Sequence, residues 1–112
     1  MHEMAIAEAI RDTVRARATD GRVERVDVRI GHLRQVVPDS LAFAWEVLTQ
    51  DSDLAGSALV IDYVPATVAC NACAAVTELD LPILQCGACE SFDVALRTGE
   101  EFELASFDVA RA

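Results

Sequence analysis

The chain has 112 residues, 53% hydrophobic, 25% charged and 5% aromatic, enough for one domain or for one domain carrying a small metal-held module, and too apolar for a disordered chain. Nineteen acids against nine bases, all nine of them Arg, give a formal charge of -10, which argues against a nucleic-acid partner because so acidic a surface repels phosphate backbones. The charge is uneven: residues 1–34 carry a net +1 and residues 35–112 a net -11, either a solvated acidic half or a docking face for a charged partner protein.

The first ten residues, MHEMAIAEAI, place an acid at position 3 and no base before the apolar stretch, unlike a signal peptide. The uncharged run from Tyr63 to Thr77 is broken by Pro65 and Asn71 and is too short to span a bilayer. A cytoplasmic protein without a membrane association is expected. In that reducing compartment four cysteines point to metal or redox chemistry rather than to a disulfide scaffold.

Residues 4–19 read as a helix, with Ile6, Ile10 and Val14 as its apolar stripe, Ala7 and Ala9 widening it, and Gly21 as the stop. In VERVDVRI, Val26, Val28 and Ile30 alternate with Asp27 and Arg29, a half-buried strand closed by Gly31. Pro38 opens a second helix with Asp39 near the positive end of its dipole; Leu41, Ala44, Trp45 and Leu48 form its buried stripe, broadened by Phe43 and Val47. Leu59 to Val64 is a second strand, ended by Pro65. The tail EFELASFDVA is a third, in which Phe102 and Leu104 differ in parity from Phe107 and Val109; a bulge near Ala105–Ser106 would restore all four to one face. The fold class is α+β, two helices on one face of a small three-stranded sheet, with an inserted four-cysteine zinc-ribbon module. Residues 1–65 plus 99–112 would form the α+β domain and 66–98 the metal-organised insertion.

Cys70-Asn-Ala-Cys73 and Cys86-Gly-Ala-Cys89 are two C-x2-C pairs separated by twelve residues. Each pair can form a tight turn that aims two sulfurs at one ion, and two turns face to face complete a tetrahedral site. Structural Zn(II) suits these soft ligands; iron in a rubredoxin-like site and a dithiol–disulfide switch are the alternatives. Four closed ligands leave no open position, so such a metal builds structure rather than catalyses.

His2 follows Met1 directly. The Met1 amine, the His2 amide nitrogen and the His2 imidazole Nδ1 would close a five- and a six-membered ring on one ion, provided that the ion displaces the amide proton and prefers a square plane. Cu(II) and Ni(II) do so. A fourth donor would come from the Glu3 amide, the Glu3 carboxylate or another carboxylate such as Asp39. His at position 2 is, on spacing alone, better read as incidental, and His32 beside Gly31 reads as a loop histidine.

Met1-His2-Glu3 on a helix, Val26-Asp-Val-Arg-Ile30-Gly31-His-Leu33, Val37-Pro38-Asp-Ser-Leu41, Leu59-Val-Ile-Asp-Tyr-Val-Pro65, both cysteine pairs and Gly99-Glu100-Glu101-Phe102-Glu103-Leu104 together resemble the HypA/HybF family of hydrogenase-maturation nickel metallochaperones, nearly end to end. The resemblance implies nickel binding by His2 with Met1 and Glu3, structural zinc on Cys70, Cys73, Cys86 and Cys89, and delivery of Ni(II) as transient cargo, with the GTPase HypB, towards a [NiFe]-hydrogenase large-subunit precursor. Many relatives carry Gly after each knuckle where this chain has Ala74 and Glu90; glycine eases a left-handed backbone, so strained knuckles are expected. No His flanks a zinc cysteine, which puts in doubt the urease-related role that some relatives have.

No Gly-rich phosphate loop and no nucleophile motif is present, so an enzyme is not expected. The alternative function is a zinc-ribbon protein-interaction adaptor without nickel chemistry.

Overall fold

The computed structural model describes residues 2–18 and 21–110. In chain order they form α1 (His2–Arg17), β1 (Arg22–Gly31), a single 3-10 turn (His32–Arg34), α2 (Pro38–Thr49), β2 (Ala58–Val64), β3 (Thr67–Cys70), β4 (Val76–Glu78), β5 (Val94–Thr98) and β6 (Phe102–Ala110). The strands make two three-stranded sheets, ordered β2-β1-β6 and β4-β3-β5. The chain divides into two compact units, one of residues 1–29, 36–62 and 103–112, the other of residues 30–35 and 63–102. The α+β class with two helices stands, and the inserted segment adds a sheet of its own. Strands of three to five residues are too short to register as periodicity, which is why 66–98 shows none.

In the first unit α1 packs against α2. The helix starts at His2, two residues before the apolar stripe suggests, with Glu3 in its first turn and Arg15 and Arg17 in its last, all favourable to the helix dipole. Ala7, Ile10 and Val14 are buried, Ile6 is half-buried and Ala9 is exposed, so the stripe centres on Ala7 rather than spreading to Ala9. Gly21 takes φ +83°, a left-handed conformation that suits its glycine.

Strand β1 buries Val26, Val28 and Ile30 by the expected alternation. It also buries Val23, because Glu24 and Arg25 are both exposed and the parity shifts between them. On the opposite side Arg29 bridges the neighbouring strands: its Nη1 lies 2.8 Å from Glu103 Oε1 on β6 and its Nε 3.3 Å from Asp62 Oδ2 on β2. Strand β6 half-buries Leu104, Phe107 and Val109 with Ala105 and Ser106 both exposed, the parity shift expected at that step. Phe102 is exposed where the other three are half-buried, and the Arg34 guanidinium carbon lies over its ring, 6.0 Å from the centroid.

Helix α2 has Pro38 at its first turn and buries Leu41, Ala44, Trp45 and Thr49. Leu48 is half-buried, but Phe43 and Val47 are 66% and 39% exposed and do not broaden the stripe. The buried arc is narrow, and Thr49 completes it because its hydroxyl is satisfied by donating to the Trp45 carbonyl at 2.8 Å. The Trp45 indole N–H reaches Ser57 Oγ at 3.0 Å, and that hydroxyl donates to Leu54 O at 2.6 Å, closing the turn after the helix.

In the second unit β3 pairs antiparallel with β4 (Thr67 opposite Glu78, Ala69 opposite Val76) and with β5 (Val68 opposite Leu96, Cys70 opposite Val94). Its core is small: Ala66, Val68 and Leu79 are buried, with Leu33, Val94 and Leu96 packed around them. Gly31 N–H donates to Glu101 O at 2.7 Å and Leu33 N–H to Gly99 O at 2.8 Å. This contact needs glycine at both places. Gly99 has φ +124°, and a Cβ there would stand 2.7 Å from Ala66 Cα. A Cβ on Gly31, whose own backbone is extended (φ -77°, ψ 148°), would overlap the Gly99 carbonyl. Gly31→Ala is therefore expected to lower stability by about 2–3 kcal/mol through backbone displacement; a urea unfolding curve coincident with wild type would show that the close approach does not exist.

Candidate metal centre

The two C-x2-C segments are one structure built twice. In the first, the Cys70 N–H donates to Ala75 O at 2.8 Å and the Ala74 N–H to Cys70 O at 3.0 Å; in the second, the Cys86 N–H donates to Ser91 O at 2.9 Å and the Glu90 N–H to Cys86 O at 3.0 Å. Cys70 Sγ accepts the N–H groups of Ala72 at 3.3 Å and Cys73 at 3.4 Å. Cys86 Sγ accepts those of Ala88 and Cys89 at the same two distances. Each turn is left by a non-glycine residue in the left-handed region, Ala74 at φ 66° and Glu90 at φ 64°, so the strain expected from their lack of glycine is present.

The second position of each turn is tied differently, by groups that no spacing rule singles out. The Asn71 N–H donates to Asp93 O at 2.9 Å and its Nδ2 to Asp93 Oδ1 at 3.1 Å. The Gly87 N–H donates instead to Thr77 Oγ1 at 3.0 Å. Asp93 leads into β5 and Thr77 lies on β4, so each knuckle is fastened to a flanking strand.

All four sulfurs lie within 4.8 Å of one another. Cys70 Sγ is 3.6 Å from Cys89 Sγ, and Cys73 Sγ is 3.6 Å from Cys86 Sγ. A tetrahedron with metal–sulfur bonds of about 2.3 Å has edges near 3.8 Å, so the sulfur separations fit a single cation. The acid–base balance points the same way. Backbone N–H groups of Cys89 and Ala88 pull Cys86 down to about 6. Cys89 is drawn down by the Ser91 amide but is pushed up to about 12, chiefly by the neighbouring Cys70 and Cys73 sulfurs. Cys73, despite the Ala75 amide, is likewise raised, by Cys86. Four thiols this close cannot all ionise unless a cation neutralises them, and a cation that does so gains four soft donors.

The other singled-out residues lie at the start of α1 and near β1. His2 is exposed at the first position of α1. Met1 lies outside the described residues. Glu3 is half-buried, and its carboxylate Oε2 accepts the backbone N–H of Val37 at 3.4 Å, joining the first turn of α1 to the residue that precedes α2. Asp39 sits in the first turn of α2, two residues further on. His32 meets the Tyr63 ring edge to face at 5.7 Å, a packing role.

Residues 1–109 match the family described as hydrogenase/urease nickel incorporation metallochaperone, HypA. The hydrogenase maturation factor HypA of Desulfosudis oleivorans is 34% identical over 113 residues, covering 97% of this chain and 98% of its own. That of Geotalea uraniireducens is 36% identical over 109 residues, covering 97% of this chain and 99% of its own. The solution structure of the Ni metallochaperone HypA from Helicobacter pylori has the same fold, with a TM-score of 0.66 at 22% identity over the whole of both chains.

The left-handed residues yield a test of the knuckle geometry. A Cβ in that region costs roughly 1–2 kcal/mol, while glycine's greater freedom in the unfolded chain returns roughly 0.5–1 kcal/mol. Ala74→Gly and Glu90→Gly are each expected to raise stability by about 0.5–1 kcal/mol. A thermal transition that falls in both variants would contradict the positive φ angles.

Proposed function

The chain belongs to the HypA family of metallochaperones for hydrogenase and urease nickel incorporation, and on that premise we propose that it binds Ni(II) at its N-terminus and delivers it for [NiFe]-hydrogenase maturation. It is a metallochaperone rather than an enzyme. Its four-cysteine cluster is a metal-binding site, which we assign to structural Zn(II) on Cys70, Cys73, Cys86 and Cys89. Residues 1–65 plus 99–112 form the nickel-binding part and residues 66–98 the zinc-binding part.

The observation that carries the nickel reading is that α1 begins at His2. The first N–H groups of a helix have no carbonyl four residues back, so metallating the His2 and Glu3 amides would break no helical hydrogen bond. The positive end of the helix dipole also favours loss of an amide proton. His2 is exposed, as a ligand that passes its cargo to another protein must be. The Glu3 carboxylate is turned towards Val37, so Glu3 serves through its amide nitrogen, after the Met1 amine, the His2 amide and the His2 imidazole.

For the zinc, the chain's own contribution is to bring the sulfurs together and to compensate their charge with backbone N–H groups. When bound, Zn(II) would supply a redox-inert cross-link between the two knuckles. The GTPase HypB and the hydrogenase large-subunit precursor are the partners this reading assigns, and the cytoplasm is the place of action. Among the described residues no helix is long and apolar enough to cross a membrane.

The first experiment is a Ni(II) titration of zinc-loaded, untagged protein beside His2→Ala, followed by calorimetry and absorption. One equivalent with a square-planar band, absent from the variant, is expected; equal weak binding by both proteins would favour the zinc-ribbon adaptor. Because amine, amide and imidazole each release a proton on binding, nickel affinity is expected to fall steeply as pH falls from mildly alkaline to mildly acidic. A flat profile would refute the terminal chelate. Complete zinc removal is expected to abolish amide hydrogen-exchange protection over residues 66–98, and protection that survives would remove zinc's structural role.

A further inference from the structure

The four sulfurs of the cluster are chemically two pairs. Cys70 and Cys86, the first cysteine of each knuckle, are 5% and 1% exposed, whereas Cys73 and Cys89, the second of each, are exposed. Each buried sulfur also accepts two backbone N–H bonds from its own turn, at 3.3 and 3.4 Å. Cys73 and Cys89 face one amide each, from Ala75 and Ser91.

Burial and hydrogen bonding act in the same direction on sulfur reactivity. A reagent must approach the sulfur along an open line, which the exposed pair provides. Each N–H bond to a thiolate withdraws electron density from the lone pairs that would attack, so a doubly bonded sulfur is the poorer nucleophile. The two-knuckle repeat places both reactive sulfurs in corresponding positions, second cysteine with second cysteine, and thereby gives the cluster a protected edge and an open one.

We infer that Cys73 and Cys89 form a modification edge of this centre, taking soft, thiol-reactive electrophiles before Cys70 and Cys86, and that modification there opens the metal site. The inference rests on the zinc assignment proposed above. The step balances simply: the Cys73 or Cys89 sulfur attacks the electrophilic carbon, an S–C bond forms, the carbon–halide bond breaks, and the halide leaves with the bonding pair. The thiolate becomes a neutral thioether, a weak zinc donor, so the chain would offer three thiolates instead of four to the metal. The turns that hold Cys70 and Cys86 keep their N–H···S bonds throughout.

The test uses the whole zinc-loaded chain and substoichiometric iodoacetamide, with intact-mass zinc stoichiometry recorded first, then peptide mapping of alkylated sites and colorimetric detection of released zinc. Hydrogen bonds to a charged group differ enough to predict labelling of Cys73 and Cys89 about tenfold or more ahead of Cys70 and Cys86. Zinc release should track the first alkylation at either exposed site. One bound zinc with first labelling at Cys70 or Cys86, or equal rates at all four, would overturn the inference and leave the zinc assignment standing. Purified chain that takes up no zinc at these thiols would overturn both.

Discussion

Four sulfurs within 4.8 Å of one another are the constraint on which the second unit depends. Its strands have three to five residues, and its buried apolar side chains are few: the cluster Ala66, Val68 and Leu79, with Ile30, Val64 and two of the cysteines. That little apolar surface does not offset the entropy of ordering some forty residues, at roughly 1–2 kcal/mol of backbone each. The cation proposed to cross-link residues 70, 73, 86 and 89 would supply further stability and make folding and metal binding one equilibrium. The fastening of Asn71 to Asp93 and of Gly87 to Thr77 carries that cross-link into the flanking strands.

The first unit is held by ordinary means. One side of the β2-β1-β6 sheet alternates into a core that includes Val23, Val26 and Val28, while Trp45, Leu41 and Leu54 are buried in the elements that follow. The other side carries the Asp62–Arg29–Glu103 bridge and the Arg25–Asp27 pair. Such exposed pairs contribute little energy apiece. They do neutralise charge on a sheet face that would otherwise hold several acids, and the Asp27 carboxyl is held below its ordinary range by its hydrogen bond with Arg25.

The two metal functions proposed for this chain ask for opposite properties. A structural centre must close its coordination shell, and two of the four cysteines proposed to do so are buried under their own turns. A carrier site must present donors that a partner can displace. The first turn of α1 suits this, since its amide groups lie outside the helical hydrogen-bond ladder and its imidazole is exposed. The contact from Glu3 to Val37 limits the freedom of that turn without covering His2.

Much of this was legible in the sequence, for physical reasons that are local. The C-x2-C spacing names its chemistry because two sulfurs on one tight turn have little else to share than an ion. Val26, Val28 and Ile30 specify a strand face, and the parity change at Ala105–Ser106 appears in the burial of β6, because side chains in a strand alternate whatever surrounds them. Set against the glycines that the resembled family carries after its knuckles, Ala74 and Glu90 announce strain, since the turn dictates the backbone angle before any tertiary contact forms. What depends on distant partners could not be read in this way. Phe43 and Val47 are apolar at helical spacing yet exposed, since only the arrangement of neighbouring elements decides how wide an arc is covered. The second sheet is invisible in strands of three residues, and the pairing of Glu3 with Val37 joins residues 34 apart. The sequence by itself determined the ligand chemistry and the strand faces, which follow from short-range geometry; the tertiary structure alone decided which sulfurs are sheltered and which apolar residues are left in water, because burial belongs to the packed whole.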